Sequence, residues 1–172
     1  MRIWILCHGE KPKNEKREVD WPQIEKELKG IGNLTKVDIL DLDHVEFELE
    51  EVKLSFYANP NYSPVRKEIT LMNNLHLADK LSIGAMKMEV LLRRSKFRDY
   101  YDIYSLIKDG CDLQEMMDLA LKYSGHRLKS KNLIAMLTNS ERFQKESNFS
   151  QLQPQYDITP QDIEAAIRVA LK

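Results

Sequence analysis

Strand-like patterns of apolar and polar positions occur only before about residue 71, and a helical period dominates from residue 77 onward. The opening RIWIL is a short apolar burst that ends in charge and predicts a short buried strand. Glu10 to Asp20 is polar and aperiodic and predicts an exposed loop. Trp21 to Lys29 predicts a helix, with Asp20 as its cap, Pro22 in the first turn, Ile24 and Leu28 four apart, and Gly30 and Gly32 closing it. Thr35 to Leu40 is β-branched and apolar. Val45–Leu49 and Val52–Tyr57 alternate around Glu50-Glu51 and predict a hairpin, although its turn lacks the usual Gly or Asn. ANPNYSP predicts a loop, and Lys67–Leu71 one more short strand.

From His76 the strand pattern stops. Leu77 to about Arg94 predicts a helix rich in Ala, Met, Leu and Lys, broken near Ser95-Lys96-Phe97. Asp99–Lys108 and Leu113–Tyr123 follow, each closed at a glycine, Gly110 and Gly125. Ser130 is placed to cap a fourth helix, Lys131–Thr138. Gln144–Asp157 is polar and predicts a loop. Thr159 caps the last helix, with Pro160 at its first position and Asp162 in its first turn. The resulting class is α+β: a small, mostly antiparallel sheet over residues 1–75, then a helical bundle over 76–172.

The 172 residues suit one domain or two small subdomains, and 42 % hydrophobic with 31 % charged residues is a globular composition. A net charge of −1 gives no global pull toward nucleic acid or anionic lipid, so such binding requires a local patch. Two distant cysteines, Cys7 and Cys111, argue against a disulfide framework or thiolate metal site and make a reducing cytoplasm the default. No apolar run approaches the roughly 18 residues of a membrane span.

In MKMEVLLRRSKFRDYYDIYSL, residues 86–106, many ionic groups stand among many apolar ones. On a continuous helix Lys87 and Arg94 share a face, two turns or roughly 10 Å apart. Arg98, Asp99 and Asp102 open the next helix, with Arg98 and Asp102 as an (i, i+4) pair and Tyr100, Ile103 and Ile107 as the core-facing stripe. The run reads either as a salt-bridged, solvated corner or as a phosphate-binding corner in which Lys87 and Arg94 hold a triphosphate and the carboxylates orient them or take a proton.

The spacing K-x6-R-x3-[KR]-D-x2-D-[LI]-Y, carried by Lys87, Arg94, Arg98, Asp99, Asp102, Ile103 and Tyr104, resembles the signature of the AbiEii/AbiGii toxin family of nucleotidyltransferases. EVKLSFYANPNYSP and LHLADKLSIGAMK upstream, and LKSKNLIAMLTNSERF and PQDIEAAIRVAL downstream, resemble the flanking family segments, from roughly Trp21 to the end. The resemblance implies a polymerase-β-like nucleotidyltransferase fold and a role in bacterial toxin–antitoxin or phage-defence (abortive infection) loci. It implies transfer of a nucleotide from a nucleoside triphosphate, with Mg2+, to RNA, and a cognate antitoxin as partner. It implies Lys87, Arg94 and Arg98 at the nucleotide phosphates, and Lys87, Asp99 and Asp102 as the catalytic half-site.

The family pattern also opens with a glycine turn and a D-x-D strand that hold phosphate and metal. Neither is found before RIWIL, and an acidic position expected in VKLSF is occupied by Ser55, so the expectation is an N-terminally truncated member that is inactive alone, with no metal ligands of its own. Asp41-Leu42-Asp43 is a D-x-D, but it falls at a turn without a glycine loop. His8, His76 and His126 lack partners at ligand spacing. The basic cluster His126, Arg127, Lys129 and Lys131 reads as solvated loop or as an RNA phosphate contact. Two classes stay open: a nucleotidyltransferase, or a non-catalytic module that contacts a partner protein or RNA. An open sheet edge makes a dimer conceivable.

Overall fold

The structure is a computed structural model that describes residues 2–6, 20–41, 44–57, 64–72, 75–125 and 127–172. The chain divides between Ser63 and Pro64 into two compact units. The Asp43 half of the D-x-D, Cys7, His8, His126, most of the loops at 10–20 and 58–64, and the side chains of the opening strand lie outside the described residues.

The first unit is a four-stranded sheet with one helix. Its strands are β1 (Arg2–Leu6), β2 (Leu34–Asp41), β3 (His44–Leu49) and β4 (Val52–Tyr57), in the order β1-β4-β3-β2; β1 runs parallel to β4 and the other pairings are antiparallel. The alternation in β3 and β4 sends Val45, Phe47, Leu54 and Phe56 to one buried face. The rings of Phe47 and Phe56 meet edge-on at 5.4 Å. Leu28 of helix α1 (Trp21–Ile31) completes this core, with Trp21 and Ile24 packed beside it. Asp20 caps α1 as expected, accepting the Gln23 N–H at 3.0 Å.

The β3–β4 turn explains how two glutamates replace Asn-Gly. Glu50 and Glu51 both take positive φ, 49° and 64°, the left-handed pair a two-residue turn needs to match strand twist. The Glu50 carboxylate accepts the Asn33 N–H at 2.7 Å, which gives this strained residue a compensating bond. Gly32 permits the approach, because a Cβ there would lie 2.9 Å from the same carboxylate oxygen.

The second unit opens with a short antiparallel ribbon, β5 (Ile69–Met72) and β6 (Leu75–Leu77). β6 corrects the expectation that strand structure ends before His76: Thr70 pairs with His76 across the ribbon, and Thr70 Oγ1 lies 3.3 Å from His76 Nδ1. The helices are α2 (Lys80–Val90), α3 (Phe97–Lys108), α4 (Leu113–Tyr123), α5 (Ser130–Leu137) and α6 (Pro160–Ala170). α2 starts later than periodicity predicts because Asp79 caps it, accepting the Ser82 N–H at 2.7 Å. α5 is not capped by Ser130, which is its first helical residue; Lys129 holds the cap position and makes no side-chain cap bond. α6 is capped by Thr159 as expected, and the structure adds a reciprocal capping box between Thr159 and Asp162.

α2 packs on α3 and α4, and α3 on α6, around a core that includes Met88, Phe97, Tyr100, Ile103, Met116, Leu133, Phe143 and Ile163. Tyr100 stacks on Phe143 at 3.7 Å and donates its hydroxyl to the Met136 carbonyl at 3.2 Å, so its polar end is satisfied. The segment predicted as a polar loop contains a 3-10 turn, Phe149–Leu152, whose Phe149 is buried edge-on against Phe97 at 4.8 Å. Among the described residues no helix is long and apolar enough to cross a membrane.

Candidate phosphate-binding corner

Lys87 lies in the last turn of α2. The helix stops at Val90, short of the predicted Arg94. The N–H groups of Leu91, Leu92 and Arg93 bond to the carbonyls of Met88, Glu89 and Val90, so the chain tightens from the α to the 3-10 pattern and leaves the helix axis. Arg94 is therefore not two helical turns above Lys87. The turn brings it back toward α3, so convergence replaces stacking.

The two cations meet at Asp99, in the first turn of α3 and fully buried. Arg94 grips it with a two-pronged contact, Nε to Oδ2 and an Nη to Oδ1, both 2.8 Å. Lys87 Nζ donates to Oδ1 at 3.2 Å and lies 2.5 Å from Asp102 Oδ2, one turn further along α3. The Lys87 and Arg94 side chains remain 27 % and 50 % exposed, so the cations rest on a buried anion with their outer sides toward water.

Burial by itself would raise the Asp99 pKa. The Arg94 hydrogen bonds and the charges of Lys87 and Arg94 outweigh it and hold the carboxyl below its usual range. The same hydrogen bond to Asp99 raises Arg94 against the opposing effect of its own desolvation.

Lys87, Arg94, Asp99 and Asp102 are thus brought together, and Arg98 is not. It pairs with Glu146 at 3.6 Å, while Asp102 takes Lys87, so the expected (i, i+4) pairing of Arg98 with Asp102 gives way to these partners. One contributor had no local signal in the sequence. Arg142, from the 3-10 turn Ser140–Arg142, donates to the Ser95 hydroxyl at 3.0 Å and to the Leu91 carbonyl at 3.4 Å. It ties down the connector that presents Arg94, from 47 positions beyond Ser95.

The remaining candidates fall elsewhere. Glu89 is a buried acid on α2 held by Arg93 at 2.5 Å and Arg127 at 2.9 Å, which commits Arg127 of the basic cluster to a carboxylate. In the first unit Ser55 lies beside a carboxylate from the neighbouring strand: Ser55 Oγ donates to buried Glu46 at 3.0 Å, and Lys53 pairs with the same side chain. Among the described residues no group of three or more His, Cys, Asp or Glu is arranged to hold a metal. Asp99 and Asp102 do not fit magnesium as they stand, because Arg94 and Lys87 occupy both Asp99 oxygens and Lys87 lies on Asp102.

Comparison with protein families matches residues 11–169, nearly the whole chain, to the family described as Nucleotidyl transferase AbiEii toxin, Type IV TA system. No curated protein and no solved structure matches.

Proposed function

Because the chain belongs to the AbiEii nucleotidyl transferase toxin family of a type IV toxin–antitoxin system, we propose that its Lys87–Arg94 corner receives the phosphates of a nucleoside triphosphate. The observation that carries this reading is the convergence of two partly exposed cations on one buried carboxylate. Asp99 fixes them in place. Their outward N–H groups are left to a ligand that offers several acceptor oxygens, and a planar guanidinium beside a compact ammonium suits a polyphosphate. Asp102 is 42 % exposed and is the replaceable partner: an arriving phosphate would take its place on Lys87. Arg98 would reach the nucleotide only after leaving Glu146.

In the reaction of the family, an RNA hydroxyl would attack the nucleotide's innermost phosphorus and pyrophosphate would leave, with Lys87 and Arg94 balancing charge on the phosphates. Magnesium, when bound, would stabilise the attacking and leaving oxygens. The carboxylates of this corner are committed to cations, so the 172-residue chain by itself is read as a nucleotide-binding member that does not transfer. The same observation supports the second reading, a non-catalytic module. A polymerase-β-like arrangement, a cytoplasmic setting and a cognate antitoxin belong to the same proposal.

Titration calorimetry with each of the four ribonucleoside triphosphates tests the site. The native chain should release heat with at least one of them, and Lys87→Ala should lose most of it. Equal heats from both proteins would reject the corner as the binding site.

A further inference from the structure

We propose that Arg93 and Arg127, gathered on the buried carboxylate of Glu89, form a binding site for the backbone phosphates of single-stranded RNA, the acceptor strand of the transfer proposed above. That this RNA is the acceptor rests on the proposed function; the phosphate site rests on its own geometry.

Glu89 lies in the last turn of α2 and is 4 % exposed. The tightened turn after α2 sends two consecutive arginines to two different buried acids. Arg94 goes to Asp99 on α3, while Arg93 turns back on its own helix and donates to Glu89 Oε2 at 2.5 Å. Arg127 arrives from the connection between α4 and α5. Its Nη2 lies 2.9 Å from Glu89 Oε1, and its Nε donates to the Ser124 carbonyl at 3.0 Å. Ser124 is itself buried and fixed, since its hydroxyl accepts the Leu128 N–H at 3.1 Å. Arg127 is therefore held at two points.

Two cations share one carboxylate, so the cluster keeps a surplus positive charge. The Arg93 and Arg127 side chains remain 64 % and 63 % exposed. A guanidinium presents five N–H groups in a planar fork, and these contacts occupy only part of each, so the outer groups are left for a ligand with several acceptor oxygens. The surroundings supply no competing anion from the same segments: residues 90–98 and 119–140 contain no Asp or Glu. The second of these stretches adds exposed Lys122, Lys129 and Lys131. The hydroxyl of Tyr123 stands within electrostatic reach of Glu89, Arg93 and Arg127, and its partly exposed ring offers a base a surface to stack on.

Position favours RNA over an acidic peptide. Lys87 and Glu89 are two places apart on α2 and so leave it on nearly opposite sides. A helix is about 10–12 Å across with its side chains, so a strand whose end reaches the Lys87–Arg94 corner carries its preceding phosphates over the end of α2 toward Arg93 and Arg127.

Fluorescence anisotropy of a labelled single-stranded oligoribonucleotide, over a salt series, tests the site on the full chain. The native chain should bind it, more weakly as salt rises. Arg93→Ala and Arg127→Ala, each of which leaves Glu89 one arginine, should each raise the dissociation constant several-fold and lower the slope of log affinity against log salt by about 0.7, one phosphate contact on a single strand. Lys29→Ala, an exposed lysine of the first unit, should change neither. Arg93→Lys and Arg127→Lys keep the charge on Glu89 but lose the fork, so they should still weaken binding and decide the matter where an alanine variant fails to fold. Triphosphate heats should be unmoved by the arginine changes. If no triphosphate binds and RNA binding still depends on Arg93 and Arg127, the nucleotide reading falls and this site stands. No RNA binding by the native chain at low salt, binding indifferent to both arginines, an equal loss from Lys29→Ala, or displacement of the RNA by poly-glutamate at equal charge would each overturn the proposal.

Discussion

Asp99 is the residue on which the corner turns. Changing it to Asn keeps its shape and removes its charge. Arg94 and Lys87 would then be left without their common counter-ion, and stability should fall by about 2–3 kcal/mol, below the roughly 3–5 of a fully enclosed pair because both cations reach water. Denaturant unfolding measures this, and a change within error would show that the pair contributes nothing. Asp102→Asn acts in the opposite direction on ligand: it releases Lys87 from a competitor and should tighten triphosphate binding several-fold by calorimetry, whereas Asp99→Asn should weaken it. Acid provides a further check. Asp99 is held below its usual range, and Glu164, which accepts the Ser140 hydroxyl and backbone N–H and pairs with Arg168, is lowered from 4.5 to about 2. Both carboxyls have folded-state values below their unfolded ones, so their stabilisation is complete above the ordinary carboxylate range and is lost as pH falls through the lowered values. Glu164→Gln should flatten the loss of thermal stability between pH 4.5 and about 2, and an unchanged slope would remove Glu164 from the account. Lys87, Arg94, Asp99 and Asp102 are legible as a group in the lysine-to-aspartate motif, although a continuous helix would have held Lys87 and Arg94 apart where the turn after Val90 brings both onto Asp99. Arg142 was not, since a contact that spans 47 positions has no periodicity to betray it. Nor was the transfer of Arg98 to Glu146, because two partners compete for one arginine and only packing decides between them.

At the scale of elements, the hairpin turn shows what local chemistry dictates and what tertiary structure overrides. The alternation of Val45–Leu49 and Val52–Tyr57 located the hairpin, while the residue types at its turn argued against it. The contradiction resolves through Glu50, whose side chain is bound by Asn33 from outside the hairpin. Glu51 has no such part in that bond, and its φ of 64° is strained for an L residue. Glu51→Gly should therefore stabilise the first unit by about 0.5–1 kcal/mol, the relieved strain less the greater freedom of glycine when unfolded. A loss of stability in urea would show that Glu51 contributes more than its backbone strain removes. The helix starts at Asp20 and Thr159 are legible from their capping side chains, whereas the Asp79 cap of α2 is hidden because helical composition begins before it. The end of α2 is misread at Arg94, where helical composition runs on through a stretch that the backbone leaves as a turn. The strand Leu75–Leu77 was missed for a related reason: three residues carry too little pattern, and their partner across the ribbon defines them.

For the whole molecule, the distinguishing measurement is incorporation of labelled nucleotide into bulk tRNA with magnesium present. The proposal expects binding by the 172-residue chain without incorporation. Incorporation that is abolished when Asp41 and Asp43 become Asn would instead assign catalysis to the Asp41-Leu42-Asp43 motif. Incorporation that survives that change but not Lys87→Ala would make the corner sufficient for transfer. The tight grip on Asp99 has a consequence for how such a ligand is received. A free lysine or arginine side chain loses up to about 2 kcal/mol of rotational entropy when a ligand immobilises it. Lys87 and Arg94 are already immobilised by folding, through three hydrogen bonds to one buried carboxylate. The corner is thus a rigid socket and not a pair of arms that close on their target, and under the proposed function it would meet a phosphate in the same shape it has alone.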